Sequence, residues 1–234
     1  MARLSSHGEP IGINPGPFLK TMMKEAVSQS LYSYWNTLRG ARPAPKRFEI
    51  DPSRIASNLP DTFILEQVDR GTLRFRLAGT RIIEALGIEL RGKNLYDLFD
   101  ADDAATLDRQ IELITRHCAV GVFHMSADDG EGQTTTFEIL LLPLTHTRDC
   151  VERFLGSIRP IGKREAPVNS PLINRRLIDH ELIWPEGTSP VDKARMLEPQ
   201  VPLLPTRRDA RIVRSARTYL RVYDGGLSLG RDEP

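Results

Sequence analysis

Residues 62–78 read TFILEQVDRGTLRFRLA, and their pattern decides the fold. Residues 62–68 are rich in apolar and β-favouring side chains, and Asp69-Arg70-Gly71 is a turn signal. The run that follows alternates Leu73, Phe75 and Leu77 with Arg74 and Arg76. Two such runs around a glycine-containing turn predict a β-hairpin. In a regular strand the three apolar residues face the core and the arginines face solvent. Upstream, Asp51-Pro52 fits the cap and first position of a short helix that runs to about Asn58, ahead of Leu59-Pro60. Downstream, Gly79-Thr80 opens a short helix over 81–86, closed by Gly87, and a further turn falls near 94–99.

The acidic run Asp100, Asp102 and Asp103 suits the positive end of a helix dipole. That helix is expected to continue through His117, with Leu107, Ile111 and Ile114 on one face. Three strands come next. The first spans 119–126 and leads into the loop 128–132, with Asp128, Asp129 and Glu131 at its tip. The second spans 133–142, alternates Phe137, Ile139 and Leu141 with Thr136, Glu138 and Leu140, and is ended by Pro143. The third spans 151–161. The predicted fold is α+β: a five-stranded antiparallel sheet with helices on one face, an N-terminal flanking helix and an extended C-terminal tail.

The predicted organisation has four parts. Residues 1–19 form an arm in which Gly8, Pro10, Gly12, Pro15, Gly16 and Pro17 oppose regular structure. Residues 20–47 hold the flanking helix and a linker. Met23, Val27, Leu31, Tyr34 and Leu38 recur at helical spacing, with Trp35 widening the stripe, and Gly40, Pro43 and Pro45 stop the helix. This face is a candidate interface through Met23, Val27, Leu31, Tyr34 and Trp35. It serves equally well for a second copy or for the protein's own sheet. Residues 48–162 form the sheet domain. Residues 163–234 form a Pro-rich and then Arg-rich extension, whose prolines oppose a packed helix or sheet over 163–205. Within it, 177–184 is apolar enough for a strand or a docked segment.

The order of strands and helices, together with several phrases, resembles a PAS-like family common in alphaproteobacteria. The phrases are Leu38-Arg39-Gly40-Ala41-Arg42-Pro43-Ala44-Pro45, Ile50-Asp51-Pro52, Leu59-Pro60, Phe75-Arg76-Leu77-Ala78-Gly79-Thr80 and Leu90-Arg91-Gly92-Lys93-Asn94-Leu95. Leu142-Pro143-Leu144, Leu155-Gly156-Ser157-Ile158 and the closing Arg221-Val222-Tyr223-Asp224-Gly225-Gly226 are similar to the family as well. The resemblance implies a PAS fold and a signalling role. It carries no ligand over to named residues.

Composition narrows the function. The net charge of +1 gives the 234-residue chain no overall pull toward nucleic acid or anionic membrane. Two cysteines, Cys118 and Cys150, do not form a disulfide framework, and such low use suits a reducing cytoplasm. Neither a signal-peptide pattern nor an apolar run of membrane-spanning length occurs, so the expected location is cytoplasmic.

Catalytic and metal chemistry find no constellation. His117, Cys118, His124, His146 and Cys150 lack the paired spacing of zinc ligands. His117 ends its helix instead of projecting mid-face as a haem ligand in a PAS pocket does, and neither cysteine lies in the reactive-cysteine motif of flavin-binding PAS sensors. The acidic clusters suit a helix start and a hairpin tip. There is no nucleophile elbow and no phosphate-cradling glycine loop.

The expected function is therefore a PAS-family signalling or adaptor protein that acts through another signalling protein, without cofactor or catalysis. A second copy bound through the N-terminal helix and a small ligand are further candidate partners. One alternative is a small-molecule or cofactor sensor, with a pocket at Leu107, Ile111 and Phe123. The other is a nucleic-acid-binding regulator acting through the tail, where Arg207, Arg211, Arg214 and Arg221 share a helical face as candidate anion-binding residues. A solvated tail segment packing its apolar side is favoured over that reading.

Overall fold

The hairpin forms as β1 (Thr62–Asp69) and β2 (Thr72–Ala78) in the computed structural model of the chain, which describes residues 23–146, 150–162 and 171–185. The N-terminal arm, the tail beyond 185 and its arginines lie outside the described residues. After the hairpin come α2 (Thr80–Leu86), α3 (Ala101–His117), β3 (Val120–Asp128), β4 (Thr134–Thr145), β5 (Val151–Pro160) and β6 (Ile173–Ile183), all preceded by α1 (Ala26–Arg39). The sheet is antiparallel in the order β2-β1-β5-β4-β3-β6.

Local chemistry accounts for several of the element ends. The Asp51 carboxylate accepts from the Ser53 amide at 2.9 Å and opens a 3-10 turn, Pro52–Ile55, where a short helix to Asn58 was expected. A second 3-10 turn, Leu59–Asp61, leads into β1. Asp100 caps α3 by accepting from the Asp103 amide at 2.9 Å. Gly87 closes α2 in the left-handed region, its N–H donating to the Ile83 carbonyl at 2.8 Å.

Three features differ from the sequence expectation. The sheet has six strands, not five, because Ile173–Ile183 pairs antiparallel with β3. The prolines at 171 and 185 bracket this segment and leave its interior free to pair, so a strand forms in the Pro-rich region, starting before the 177–184 stretch read as a strand or docked segment. Second, β4 runs through Pro143 to Thr145. Its pairing with β3 ends at Leu141, so Pro143 lies where the strand has only β5 beside it. Third, a bulge at Arg76 shifts the register from Ile64↔Leu77 to Leu65↔Phe75. The extra residue turns Leu77 to the face shared with Ile64, where it is 48% exposed instead of joining Leu73 and Phe75 in the core.

The sheet is covered on both faces. On the inner face α2 and α3 bury Leu73, Phe75, Ile82, Leu86, Leu107 and Ile111 against Phe63, Phe123, Phe137 and Phe154. On the outer face α1 and the 44–55 segment bury Leu31, Trp35, Ala44 and Ile50 against Val120, Val122, Leu140, Leu142 and Leu155. Both parities of β4 are therefore buried, from Phe137 to Thr145.

Candidate functional site

Leu107, Ile111 and Phe123, the residues of the expected pocket, lie in the inner core, each no more than 2% exposed. They belong to one continuous cluster with Ile114, Met125, Phe137 and Ile139. Phe123 additionally stacks on His180 of β6, with ring centroids 6.2 Å apart.

The N-terminal stripe packs on the protein's own sheet. Met23, Leu31 and Trp35 are buried in the outer cluster, with Val27, Tyr34 and Leu38 partly buried against it. The Trp35 Nε1–H donates to the Pro143 carbonyl at 2.8 Å. The Arg39 guanidinium lies over the indole, 5.6 Å from its centroid. The start of α1 has no side-chain cap of its own. Glu138, wholly buried in the middle of the sheet, supplies one: its carboxylate accepts from the amides of Lys24 at 2.6 Å and Glu25 at 3.2 Å. A carboxylate at a helix N-terminus satisfies orphan donors and meets the positive end of the dipole. His124 lies beside it, with Nε2 3.8 Å from Glu138 Oε2 and Nδ1 3.9 Å from Asp179 Oδ2. A short way along the face, the Ser28 and Ser157 hydroxyls meet at 3.3 Å. Glu138 and Ser157 brace α1, while the buried His124 Nε2 has no hydrogen-bond partner among the described residues.

His117, Cys118 and Asp61 occupy structural positions. His117 meets the Trp184 ring edge-on at 6.0 Å, and Cys118 takes a left-handed conformation that ends α3. Burial pushes the Cys118 thiol up, away from the reactive thiolate. Asp61, at the mouth of β1, accepts from Arg81 at 2.9 Å and Arg159 at 3.0 Å. Among the described residues no three His, Cys, Asp or Glu side chains come together as a metal site.

An open cleft lies at the end of the outer face that α1 leaves bare. α1 packs chiefly on β4 and β5, and the outer cluster reaches β1 only as far as Ile64, leaving Leu77 of β2 half exposed. Arg47, Ile64, Glu66, Arg76, Leu77 and Arg153 line a cavity of about 360 Å³ there. Glu66 is shared: it pairs with Arg76, and its Oε1 accepts from Arg153 Nη2 at 2.9 Å. Burial works to raise the Glu66 carboxyl, but the hydrogen bonds and charges of Arg76 and Arg153 outweigh it and hold the group below the usual carboxylate range. Arg47 comes from the 3-10 turn Arg47–Glu49, which follows a bridge between Lys46 and Thr145. Its Nε is buried and has no hydrogen-bond partner. The nearby carboxylate in sequence, Glu49, is held by Arg42 at 3.0 Å and the Lys46 amide at 2.7 Å. Three arginines and one carboxylate thus line the cleft with Ile64 and Leu77, and the carboxylate pairs with Arg76 and Arg153.

Sequence reasoning missed this cleft. Its visible signal was the alternation of Arg74 and Arg76 in β2, read as ordinary solvent-facing charge. The bulge that brings Leu77 beside Arg76 has no local signature, and Arg47 and Arg153 are remote in the chain.

Comparison with known proteins gives one family. The family model described as PAS domain matches residues 23–159, which includes α1, β1 to β4 and all but the last residue of β5. The chain matches no curated protein and no solved structure. No helix of the described residues is long and apolar enough to cross a membrane.

Proposed function

The chain belongs to the PAS domain family, and from that premise we propose that it is a signalling adaptor that acts by binding another protein. The observation that carries this reading is the filled inner core. Leu107, Ile111 and Phe123 stand where a ligand would lie between sheet and helices, and all three are packed against other side chains. An open concavity among the described residues lies outside, on the sheet face. In this reading the N-terminal stripe supports the protein's own sheet, leaving that outer cleft for a partner. Catalysis is not part of the role in this reading: the buried acids Glu138 and Asp61 serve the start of α1 and the mouth of β1. A cytoplasmic location accompanies this reading and rests on the sparse cysteine use.

Native mass spectrometry and absorbance of the purified full-length protein test it. The expected mass is that of the polypeptide alone, and the expected absorbance is that of its aromatic side chains. The tagged full-length chain is expected to retain a defined protein from its native extract. A co-purifying chromophore, or turnover abolished by a single side-chain substitution, overturns the reading.

A further inference from the structure

We propose that the cleft formed by Arg47, Arg76, Arg153, Ile64 and Leu77 receives an acidic, partly aliphatic segment of the partner protein. The proposal rests on the adaptor reading and names the surface and the chemistry of its partner. Charge is the first argument. Glu66 already serves both Arg76 and Arg153, and among the described residues Arg47 has no carboxylate partner. The cleft therefore carries a surplus of positive charge that a second carboxylate would satisfy, and Arg geometry favours planar, two-point carboxylate contacts.

The floor is the second argument. The cleft's free aliphatic surface comes mostly from Leu77, 48% exposed beside the buried Ile64, and Leu77 is there only because of the bulge at Arg76. A bare inorganic anion would leave that surface wet. A purely apolar segment would cover Arg47 without satisfying it, which is unfavourable for a charged donor. An extended peptide fits both demands, because side chains two residues apart share a face. Glu-x-Leu-x-Glu presents carboxylate, aliphatic group and carboxylate in a row.

The probe is a short fluorescein-labelled peptide of Glu-Thr-Leu-Thr-Glu repeats, titrated with the full-length protein and followed by anisotropy. A companion peptide carries Gln in place of Glu. Saturable binding of the acidic peptide is expected, weakening as salt rises. The Gln peptide is expected to bind about tenfold more weakly or worse, and Arg47→Gln to weaken the acidic peptide by about tenfold, the scale of one charge-assisted hydrogen bond. Leu77→Glu places a like charge on an exposed floor position and is expected to abolish binding. Both variants lie outside the two cores and are expected to unfold with the wild type, which thermal unfolding checks.

Equal binding of the Glu and Gln peptides, or unchanged binding by Arg47→Gln, overturns the proposal. Displacement by inorganic phosphate beyond that caused by sodium chloride at matched ionic strength would make the cleft a free-anion site and overturn it too. So would a dimer in sedimentation that Arg47→Gln dissolves, since the occupant would then be a second copy. Capture of a defined partner that persists in the Arg47→Gln/Leu77→Glu double variant removes the cleft while leaving the adaptor reading intact.

Discussion

Trp35→Ala is expected to lower the free energy of unfolding by about 4 kcal/mol, the scale for deleting a fully buried indole. Three contributions add at this position. The ring is fully buried in the outer core between α1 and the sheet. Its N–H holds the Pro143 carbonyl, which would otherwise lack that donor. The indole also lies beneath Arg39 and near Tyr32, with ring centroids 6.1 Å apart. Total stabilities of about 5–15 kcal/mol make this a large fraction. Urea unfolding followed by circular dichroism measures it. A loss below about 1 kcal/mol would mean that the helix is not docked as described.

Gly79→Ala is expected to destabilise by about 3 kcal/mol, the upper range of ordinary overpacking. The sign is informative because another effect opposes it. Gly79 has φ −70° and ψ 154°, a conformation open to alanine. Entropy of the unfolded chain alone would make alanine stabilising by roughly 0.4–1 kcal/mol. Sterics decide otherwise, because the added Cβ would run into the carbonyl oxygens of Leu59 and Pro60, which are backbone and not mobile side-chain ends. Nor can Gly79 withdraw easily. Its N–H donates to the Thr62 carbonyl at 2.9 Å, and its own carbonyl accepts from Ile82 at 3.1 Å. The position thus locks the start of β1 to the start of α2. Differential scanning calorimetry of the variant tests this, and a raised melting temperature would refute the close approach.

What was legible in the sequence is what short-range chemistry sets. The hairpin at 62–78, the Asp51 and Asp100 caps, the Gly87 stop and the apolar face of α3 follow from neighbours a few residues apart. Leu77 was misplaced because a bulge is set by how β2 registers on β1, and an alternating pattern assumes perfect register. Of the strand at 173–183 only the apolar part from 177 was legible, as a strand or a docked segment, because its partner, β3, lies some fifty residues earlier and local proline content pointed the other way. Glu138 looked like a solvent-facing residue in an alternating strand. It is buried because the amides it satisfies, on Lys24 and Glu25, are more than one hundred residues away. The cleft belongs to this second group, since Arg47, Arg76 and Arg153 meet only through the tertiary fold. The N-terminal stripe was recognisable as buried surface, while its destination depended on whether the outer sheet face was apolar enough to receive it.

The double covering of β4 shapes how the gene can vary. A strand with one wet face accepts polar replacements at every second codon, and β6 keeps that freedom through its mostly exposed side chains. From Phe137 to Thr145 no such alternation exists, because both sides are covered, the outer one by α1 and the 44–55 segment together. In a library of all single substitutions, charged residues are expected to be depleted at each consecutive position from 139 to 144. Glu138 stands apart within that block: the apolar replacements that its neighbours tolerate best would remove the carboxylate on which α1 begins.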